Sequence, residues 1–536
     1  MNIRTWQDFS LQEQIAQTIV VRTSGHLFDH QRRYPAWEAN NSQLQPWLAE
    51  LNLGGVILLG GSSVELQKRS EQLQAWAKTP LLIAADIEEG LGQRFPGGTW
   101  FPPPMALGAI YQDNPDLALE YATKMGLVTA QEAVATGINW LLAPVVDVNN
   151  NPDNPVINIR AFGDRPDVVA ALSKAFITGA KSYPVLTTAK HFPGHGDTTV
   201  DSHLQLPCLT HDDSRLAAIE IPTFEAAIAG GVDSVMTAHL MIPAWDDQLP
   251  VTLSPKIVTE KLRKNLGFEG LVVTDALIMG GIINYASPEQ IAVMAIQAGT
   301  DILLMPDNPE TAIAAIYDAV TSGRIAEAQI HQALSRIWQA KQRVGNLPVT
   351  NLKDNVQLAT PEAKKTVASI VQASLQTGGN LPLAPTQNQD VRNLIVVDDV
   401  LNASFLDLHT PAIVIPQQLG YQRQIIDNHS LDAILLDSRP TLLQVFIRAN
   451  PFRGNAGLTA KTQQIYRQLI LRGQIEAIVI YGSPYVISWF KEIISDRCPW
   501  VFSYGQMPEA QAIALKALYN LNLDLLPSNY QTDFGF

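Results

Sequence analysis

The chain has 536 residues, of which 46% are hydrophobic and 16% charged, a balance typical of a globular protein and not of a disordered one. This length exceeds what one hydrophobic core usually organises, so we expect at least two domains. With 37 Lys and Arg against 51 Asp and Glu, the formal net charge of -14 disfavours nucleic acid and anionic lipid surfaces as partners.

The first 345 residues alternate between short apolar runs and longer amphipathic runs. The apolar runs have the length and composition of buried parallel strands and lie at residues 18–22, 55–59, 81–86, 140–146, 186–191, 234–239, 271–275 and 302–305. Helical periodicity marks residues 64–78, 115–136, 166–182, 213–229, 254–265, 288–298 and 309–322. Eight such units predict a TIM (β/α)8 barrel, closed by a helix over residues 326–344.

A second alternating pattern follows a polar stretch that contains proline and glycine. We expect residues 346–390 to form a linker with a connecting helix at 361–375, and residues 391–536 to form a smaller α/β domain with an open parallel sheet. Its strand candidates are residues 394–400, 412–416, 433–438, 477–484 and 500–505. The predicted organisation is therefore a catalytic barrel domain over residues 1–345, the linker, and the second domain.

Two features predict where the protein works. The first residues, MNIRTWQDFSLQEQ, are polar and acidic where a signal peptide needs an apolar segment, and no run of about 18 apolar residues occurs. The two cysteines, Cys208 and Cys498, lie far apart and lack the spacing of a metal site, which suits a reducing compartment. We therefore expect a cytoplasmic protein without a membrane span.

Polar side chains recur at the ends of the predicted barrel strands and not at their starts. In a TIM barrel the chemistry collects at the carboxyl ends of the strands, so this pattern predicts an active site there. The densest group is the glycine-broken loop at residues 190–203, KHFPGHGDTTVDSH, which follows the fifth strand. The strand-end residues are Asp86, Asp147, Lys190, His191, His239 and Asp275.

Three motifs resemble those of the glycoside hydrolase family 3 β-N-acetylglucosaminidases, the β-hexosaminidases of bacterial cell-wall recycling. They are DIEEGLGQRF at 86–95, KHFPGHGDTTVDSH at 190–203 and VTDAL at 273–277, in the order in which the family has them. The resemblance implies a TIM barrel followed by a layered α/β sandwich. It also implies an enzyme that hydrolyses terminal β-linked GlcNAc without a metal or other cofactor.

The residues themselves suit the hydrolysis of a glycosidic bond. A retaining mechanism needs one carboxylate to attack the anomeric carbon and one acid to protonate the leaving oxygen. Asp275 ends an apolar strand, and a carboxylate at a buried strand end needs a functional or ion-paired reason. In the triplet Asp201, Ser202 and His203, the carboxylate can hold one imidazole nitrogen while the other faces the substrate. Such a histidine can donate its proton and later take one back from water.

The resemblance implies a role for each matching residue. Asp275 corresponds to the nucleophile, and His203, oriented by Asp201, corresponds to the acid/base. An Asp that accepts from two hydroxyls beside Arg and Lys donors suits a pyranose and requires no metal. The residues implied to bind the sugar are Asp86, Arg94, Arg160, Lys190 and His191.

The chain departs from the family pattern at three positions. Glu89 stands where the first motif usually has a glycine, Gly92 stands where an apolar residue is common, and Ala161 replaces the Ser of the RSFG motif. If the replaced glycine needed a positive φ, Glu89 would strain or reshape the loop. Because Asp86 and Arg94 are retained, we expect a changed loop around an intact site.

Three alternatives stay open. One is a metal hydrolase, although the loop lacks the HExxH and CxxC spacings. Another is a barrel that binds sugars or muropeptides without cleaving them, and the third is a family member that acts on β-glucosides or uses phosphate as the acceptor. The main interpretation is a cytoplasmic, metal-independent, retaining exo-β-N-acetylglucosaminidase that acts on a small carbohydrate or muropeptide. The metal ligands in the first alternative would be His191, His195, His203, Asp197 and Asp201.

Overall fold

The computed structural model of the protein describes residues 5–345, 357–384, 390–448 and 456–521. Contacts within the chain divide it into two compact units. The first comprises Met1–Thr99, Ala118–Asn151 and Ala161–Ala359, and the second comprises Trp100–Leu117, Pro152–Arg160 and Thr360–Phe536. The domain boundaries expected from sequence stay a prediction, and two short excursions from the first part of the chain group with the second unit.

The first unit is built on eight parallel strands. Five of them form a sheet in the order β4-β3-β2-β1-β8, and three form a sheet in the order β5-β6-β7. Single bridges between Trp140 and Leu186 and between Val273 and Ile302 join the two sheets into a ring, which confirms the predicted barrel. The strands are β1 (Ile19–Ser24), β2 (Gly55–Leu59), β3 (Leu82–Ala85), β4 (Trp140–Leu141), β5 (Thr188–Phe192), β6 (Ser234–Thr237), β7 (Leu271–Thr274) and β8 (Leu303–Leu304).

The barrel interior is filled by the large apolar side chains of the strands. Trp140, Met236 and Val273 belong to one buried cluster with Ile337 of the closing helix. The Trp140 indole N–H also donates to the Thr188 hydroxyl at 2.9 Å, so its polar edge is satisfied inside the core. Near-continuous burial of the strands explains why they read as apolar runs in the sequence.

Helices follow most of the barrel strands, and capping residues in the sequence mark where they begin and end. The helix Pro288–Ala298 shows this: Ser287 caps its first turn by accepting from Gln290 N–H, and Gly299 ends it with a φ of 108°. No helix in the described part of the chain is both long and apolar enough to cross a membrane. The helices that accompany the barrel strands are Leu11–Ala16, Asn41–Pro46, Ser63–Trp76, Pro115–Thr136, Pro166–Ala180, Asp213–Ile219, Ile221–Ala229, Gly280–Ile283, Pro288–Ala298, Pro309–Thr321 and Glu327–Gly345, with π-helical Trp47–Leu51 and Lys256–Asn265.

The second unit is an α/β unit with a mixed sheet of six strands. The order is β11-β10-β12-β13-β14-β9, and every pair is parallel except β14 with β9. The strands are β9 (Gln376–Gly378), β10 (Arg392–Val396), β11 (Gln422–Ile426), β12 (Thr441–Ile447), β13 (Ile475–Gly482) and β14 (Trp500–Ser503). The helices are Met105–Asp113, Pro361–Ser374, Pro411–Gln418, Ala460–Leu471, Pro484–Lys491 and Pro508–Tyr519.

Two strand predictions in this unit were wrong. Residues 412–416 lie in the helix Pro411–Gln418, where Pro411 occupies the first turn, and residues 433–438 overlap the 3-10 helix Leu431–Leu436. Three strands, β9, β11 and β12, were not predicted, and β9 makes the sheet mixed and not purely parallel. Apolar runs of about five residues do not distinguish a strand from a turn of buried helix, which explains the confusion.

Candidate active site

The barrel presents its polar strand-end residues at one rim. Because the eight strands are parallel, their carboxyl ends point to the same side. The register of β5 against β6 also shifts between Lys190 and Phe192, an irregularity that re-aims side chains at the end of β5. The predicted residues at this rim are Asp86, Lys190, His191, Asp275 and, in the loop after β5, Asp201 and His203.

A buried lysine joins two carboxylates at the rim. Lys190 Nζ lies 2.7 Å from Asp86 Oδ1 and 2.6 Å from Glu88 Oε1, and the lysine side chain is only 2% exposed. The Asp86 side chain is 37% exposed, so it can still face a ligand. Arg94 Nε donates to the backbone carbonyl of Asp86 at 3.2 Å. The structure thus brings together three of the five predicted sugar-binding residues, Asp86, Arg94 and Lys190.

A buried carboxylate after β4 organises the end of β5. Asp147 accepts from His191 Nδ1 at 2.8 Å, and its other oxygen accepts from the backbone N–H groups of His191 and His195 at 3.1 and 2.7 Å. Burial raises the pKa of Asp147, but the charge and side-chain hydrogen bond of His191 and the backbone N–H of His195 outweigh burial and leave that pKa below its usual value. Asp147 therefore stays ionised and fixes the ring orientation of His191.

The loop after β5 holds its own aspartate and histidine in contact. Asp201 Oδ1 lies 2.9 Å from His203 Nδ1 and accepts from the His203 backbone N–H at the same distance. The carboxylate is 1% exposed and the imidazole 23%, so the acid is covered while part of the ring faces solvent. This geometry assigns the Nδ1 proton to the contact with Asp201 and leaves Nε2 to exchange the other proton.

A second histidine of the loop supports that pair. His195 Nδ1 lies 2.8 Å from Thr198 Oγ1, and Nε2 lies 2.8 Å from Ser202 Oγ. Burial, helped by the charge of His191, lowers the pKa of His195 to about 4. At neutral pH His195 is therefore an uncharged ring that ties the loop to Ser202, between Asp201 and His203.

Asp275 stands at the end of β7 among three imidazoles. Its Oδ1 accepts from Ala276 N–H at 2.7 Å, and the residue as a whole is partly exposed. Burial raises the pKa of Asp275, but the charges of His191, His239 and His203 outweigh burial and hold that pKa below its usual value. The carboxylate is therefore ionised and available as a nucleophile.

Two glycines bring the Asp275 loop against the His203 loop. Gly280 N–H donates to His203 O and Gly281 N–H donates to Ser202 O, both at 3.0 Å. A Cβ atom would lie 2.7 Å from His203 O at position 280 and 2.6 Å from Ser202 O at position 281. The backbones approach this closely only because neither residue has a side chain.

Arg160 is the predicted site residue that belongs to the second of the two compact units. It ends the short turn Asn158–Arg160, which groups with the second unit, and its Nη1 donates to Val156 O at 3.0 Å. Its role as a sugar ligand stays a prediction.

The loop at Glu89 does not have the backbone strain that a positive φ at this residue would cause. Glu89 does not have a positive φ, and its backbone N–H donates to Gln93 Oε1 at 3.0 Å. The left-handed position of this turn is taken by Gly90, with a φ of 86°. The next residue is thus the one that needs to be glycine.

The residues of the metal alternative bind different partners. Asp197 accepts from His211 Nε2 at 2.8 Å and from Arg215 at 3.1 Å, away from the Asp201 and His203 contact. Among the described residues, no three His, Cys, Asp or Glu side chains converge as ligands of one ion.

Four residues of the site received no role from the sequence. Glu88 lies in the first motif but was given no role of its own, and His195 was considered only as a metal ligand. Asp147 and His239 were noticed for their strand-end positions, which proved to be the useful signal. His239 Nε2 lies 3.1 Å from Ala276 O, so it helps to hold the peptide after the nucleophile candidate.

A closed parallel barrel with carboxylates, imidazoles and a lysine at its carboxyl rim has the make-up of a hydrolytic barrel enzyme. Comparison with known families specifies it further. The model described as the glycosyl hydrolase family 3 N terminal domain matches residues 10–340, and that of the bacterial glycosyl hydrolase family 3 C-terminal domain matches residues 384–520. The chain belongs to glycoside hydrolase family 3, which confirms the resemblance seen in its motifs.

Individual relatives agree with this assignment. Beta-hexosaminidase A of Pseudoalteromonas piscicida is 34% identical over 393 residues, covering 66% of this chain and 65% of that protein. Beta-hexosaminidase of Nitrosomonas eutropha is 32% identical over 324 residues, covering 57% of this chain and 92% of its own length. The structure of a glycoside hydrolase family 3 beta-N-acetylglucosaminidase from Paenibacillus sp. str. FPU-7 aligns with a TM-score of 0.80 at 28% identity, over 96% of this chain and 97% of that one. A beta-glucoside phosphorylase, 20% identical with a TM-score of 0.80, shares the fold.

Proposed function

We propose that the protein is a retaining exo-β-N-acetylglucosaminidase that releases terminal β-linked GlcNAc from peptidoglycan fragments in the cytoplasm. One observation carries the proposal: the loop that follows Asp275 is hydrogen-bonded to the loop of His203, and Asp201 holds the Nδ1 atom of that histidine. A nucleophile and a proton donor are the two groups that a retaining glycosidase needs.

In the first step the Asp275 carboxylate attacks the anomeric carbon while His203 donates its Nε2 proton to the departing oxygen. The bond from the anomeric carbon to that oxygen breaks, and a glycosyl-enzyme forms on Asp275. The Asp201 carboxylate holds His203 Nδ1 and fixes the ring in position for this transfer.

In the second step a water molecule takes the place that the leaving group has vacated. Neutral His203 takes a proton from the water as it attacks the anomeric carbon, and Asp275 departs as a carboxylate. Two inversions give net retention of the β configuration. We assign the binding of the sugar hydroxyls to Asp86 and Lys190, which contact each other at 2.7 Å, and to Arg94, which contacts Asp86.

The choice of sugar rests on the relatives and on the loop motif. Proteins named beta-hexosaminidase match at 34% and 32% identity, and a structure named beta-N-acetylglucosaminidase matches along nearly the whole chain. The muropeptide origin of the substrate and the cytoplasmic location follow from the motif resemblance and the composition.

The first test compares p-nitrophenyl β-N-acetylglucosaminide with the β-glucoside, with EDTA and with phosphate as added variables. We expect cleavage that is selective for the N-acetyl sugar, insensitive to EDTA, and gives the β anomer first by NMR. Preference for the glucoside would contradict the sugar assignment, formation of GlcNAc 1-phosphate would redirect it to phosphorolysis, and no cleavage of either would favour a binding protein.

The catalytic roles are tested by substitution. Asp275→Ala should lower turnover on the order of 10⁴-fold or more, since no other group can form the glycosyl-enzyme. His203→Ala should slow N,N′-diacetylchitobiose roughly 10²- to 10⁴-fold but p-nitrophenyl substrates far less, because the nitrophenolate leaves without protonation. His211→Gln breaks a similar histidine–aspartate contact and should leave both rates unchanged. Full activity in either catalytic variant would overturn the assignment.

A further inference from the structure

The strand order in the sheet of the second unit reverses between β10 and β12. The first of these strands pairs with β11 on one side and with β12 on the other, always in parallel, so the chain leaves β10 toward one edge of the sheet and β12 toward the opposite edge. Right-handed connections then carry the helices that follow to opposite faces. In an open parallel sheet, such a reversal leaves a crevice at the carboxyl ends of the two strands, and ligands bind there.

A crevice lies at this position in the second unit. It is lined by residues that follow β10 and β11, by the end of β12 and by the start of the helix after β12. Among these residues are Asp398, Asn428, Ile447, Thr459 and Tyr466. The crevice thus collects a carboxylate, an amide and hydroxyl groups from separate segments of the chain.

One wall of the crevice carries a buried tyrosine hydroxyl. The Tyr466 side chain is 1% exposed and its ring packs against Phe490, with the ring centres 5.3 Å apart, but its Oη atom makes no hydrogen bond to any described residue. Burial and the charge of Asp398 raise the pKa of Tyr466, so the hydroxyl keeps its proton and can donate it to an acceptor. Because an unpaired buried hydroxyl is costly, this one points to a ligand that pairs with it.

The helix Ala460–Leu471 begins at the crevice and brings a partial positive charge to it. Thr459 caps this helix, since its Oγ1 accepts from Thr462 N–H at 3.2 Å, and Gln463 N–H donates to Thr459 O at 2.9 Å. The N–H groups of the first two helical residues have no acceptor within the helix, as at any helix start. A carboxylate is the group that such a helix end attracts.

We propose that this crevice binds a small zwitterion, an α-amino acid, whose carboxylate lies at the start of the helix Ala460–Leu471 and whose ammonium group contacts the Asp398 carboxylate. A negative side chain and the positive end of a helix line the same crevice, so a ligand with only one charge would meet one of them unfavourably. The Tyr466 hydroxyl donates to the carboxylate of the ligand. This site belongs to the second unit, and the inference does not depend on the proposed hydrolase activity.

Isothermal titration calorimetry of the full-length protein with glycine and with L-alanine tests the site. We expect saturable binding with a Kd on the order of 1 mM or tighter. Acetate and methylammonium each carry one of the two charges and should bind at least about 10-fold more weakly. No saturable binding of either amino acid, or equal binding of acetate and glycine, would overturn the proposal.

Two substitutions locate the binding in the crevice. Asp398→Asn removes the charge that contacts the ammonium group and should weaken glycine binding roughly 10-fold or more. Tyr466→Phe removes only a hydroxyl that has no partner among the described residues, so the thermal stability of the protein should not fall. Glycine binding to Tyr466→Phe should nevertheless weaken roughly 3- to 10-fold, a loss that a purely structural tyrosine would not cause.

Glu492→Gln is the matched control. It removes an exposed carboxylate of the same unit that does not line the crevice, so glycine should bind as it does to the wild type. Wild-type binding of glycine in both Asp398→Asn and Tyr466→Phe would place the ligand elsewhere, and an equal loss in Glu492→Gln would reveal a general effect of charge; either result refutes the crevice. Binding of neutral GlcNAc that is lost in Asp398→Asn would also refute the proposal, because it would assign the crevice to a sugar.

Discussion

Asp275 shows how one residue is kept charged in a place where burial works against charge. Burial alone would raise the pKa of this carboxyl, but three imidazoles and the Ala276 N–H outweigh it. His239 is the most constrained of the three. Its Nε2 donates to Ala276 O at 3.1 Å, so the ring fixes the peptide next to Asp275, and burial lowers the pKa of His239.

His195 is predicted to act as a positioning residue for the proton donor. Its ring holds the Ser202 hydroxyl at 2.8 Å, and Ser202 lies between Asp201 and His203. His195→Phe should lower kcat for chitobiose roughly 3- to 10-fold, the value of one hydrogen bond, while p-nitrophenyl β-N-acetylglucosaminide changes less. Because the pKa of His195 is about 4, the wild-type activity profile between pH 5 and 8 should contain no ionisation that His195→Phe removes.

The selective effect on the unactivated substrate separates positioning from a general loss of structure. Ser202→Ala removes the same hydrogen bond from the other side and should reproduce the pattern of His195→Phe. If both substrates slowed equally in the two variants, the imidazole would have only a structural role.

At the scale of elements, the site depends on two loops from different strands meeting backbone to backbone. The β7 loop contributes Asp275 and the β5 loop contributes His203, and only Gly280 and Gly281 allow the approach. The spacing between Asp275 and His203, the proposed nucleophile and acid, thus depends on two glycines that have no proposed part in the chemistry.

Gly281→Ala should therefore separate Asp275 from His203, the two proposed catalytic groups. The added Cβ would lie 2.6 Å from Ser202 O and 3.0 Å from Gln205 O, which is too close for either backbone to remain in place. We expect kcat for chitobiose to fall up to about 100-fold, because a displacement near 1 Å is costly for oriented groups. Gly345→Ala, whose Cβ meets only Pro80 at 3.8 Å, is the control and should retain activity. Wild-type turnover in Gly281→Ala would show that the loops can separate without penalty.

The elements also show what the sequence can and cannot predict. All eight barrel strands were predicted, since each is a buried parallel strand bounded by a helix and a turn. The strands of the second unit were harder to predict. The run at 412–416 and the strand β12 (Thr441–Ile447) are both short and apolar, and only tertiary packing makes one a helix and the other a strand.

The residues of the candidate site also divide into those that the sequence could single out and those that it could not. Asp201, His203 and Asp275 each lie in a distinctive motif after an apolar run, so the sequence could single them out, and their roles stay predictions. Glu88 gave no such signal, because its contact with Lys190 joins residues 102 positions apart in the chain, 190 less 88. Long-range contacts of this kind depend on the closure of the barrel, which local sequence does not encode.

At the scale of the whole molecule, one charged side chain, that of Lys341, lies on a buried helix face that would be expected to be apolar. In the helix Glu327–Gly345, Lys341 occupies the buried stripe that includes Ile330, Leu334 and Ile337. Its Nζ donates to Gln17 Oε1 at 2.6 Å, and no carboxylate contributes to its environment among the described residues. Burial lowers the pKa of Lys341 to about 7.

This lysine should make stability rise with pH in the alkaline range. The folded pKa is about 7 and the unfolded pKa about 10.4, so between these values the unfolded chain binds the extra proton and folding is favoured as pH increases. Below pH 7 the lysine is protonated in both states, and the fold bears the whole cost of burying the charge. Over the full range the gain is at most roughly 4 to 5 kcal/mol.

Lys341→Met should therefore be more stable than the wild type at pH 6, with the advantage shrinking as the pH approaches 10. Thermal unfolding of both proteins across this range measures the difference, and other ionisations cancel because they are common to both. Lys68→Met is the control, since Lys68 is 66% exposed and pairs only with Glu71 at the surface, so its difference from the wild type should not change with pH. A pH-independent difference for Lys341→Met as well would mean that the lysine stays charged in the folded barrel. The core would then have to solvate it through Gln17 and water.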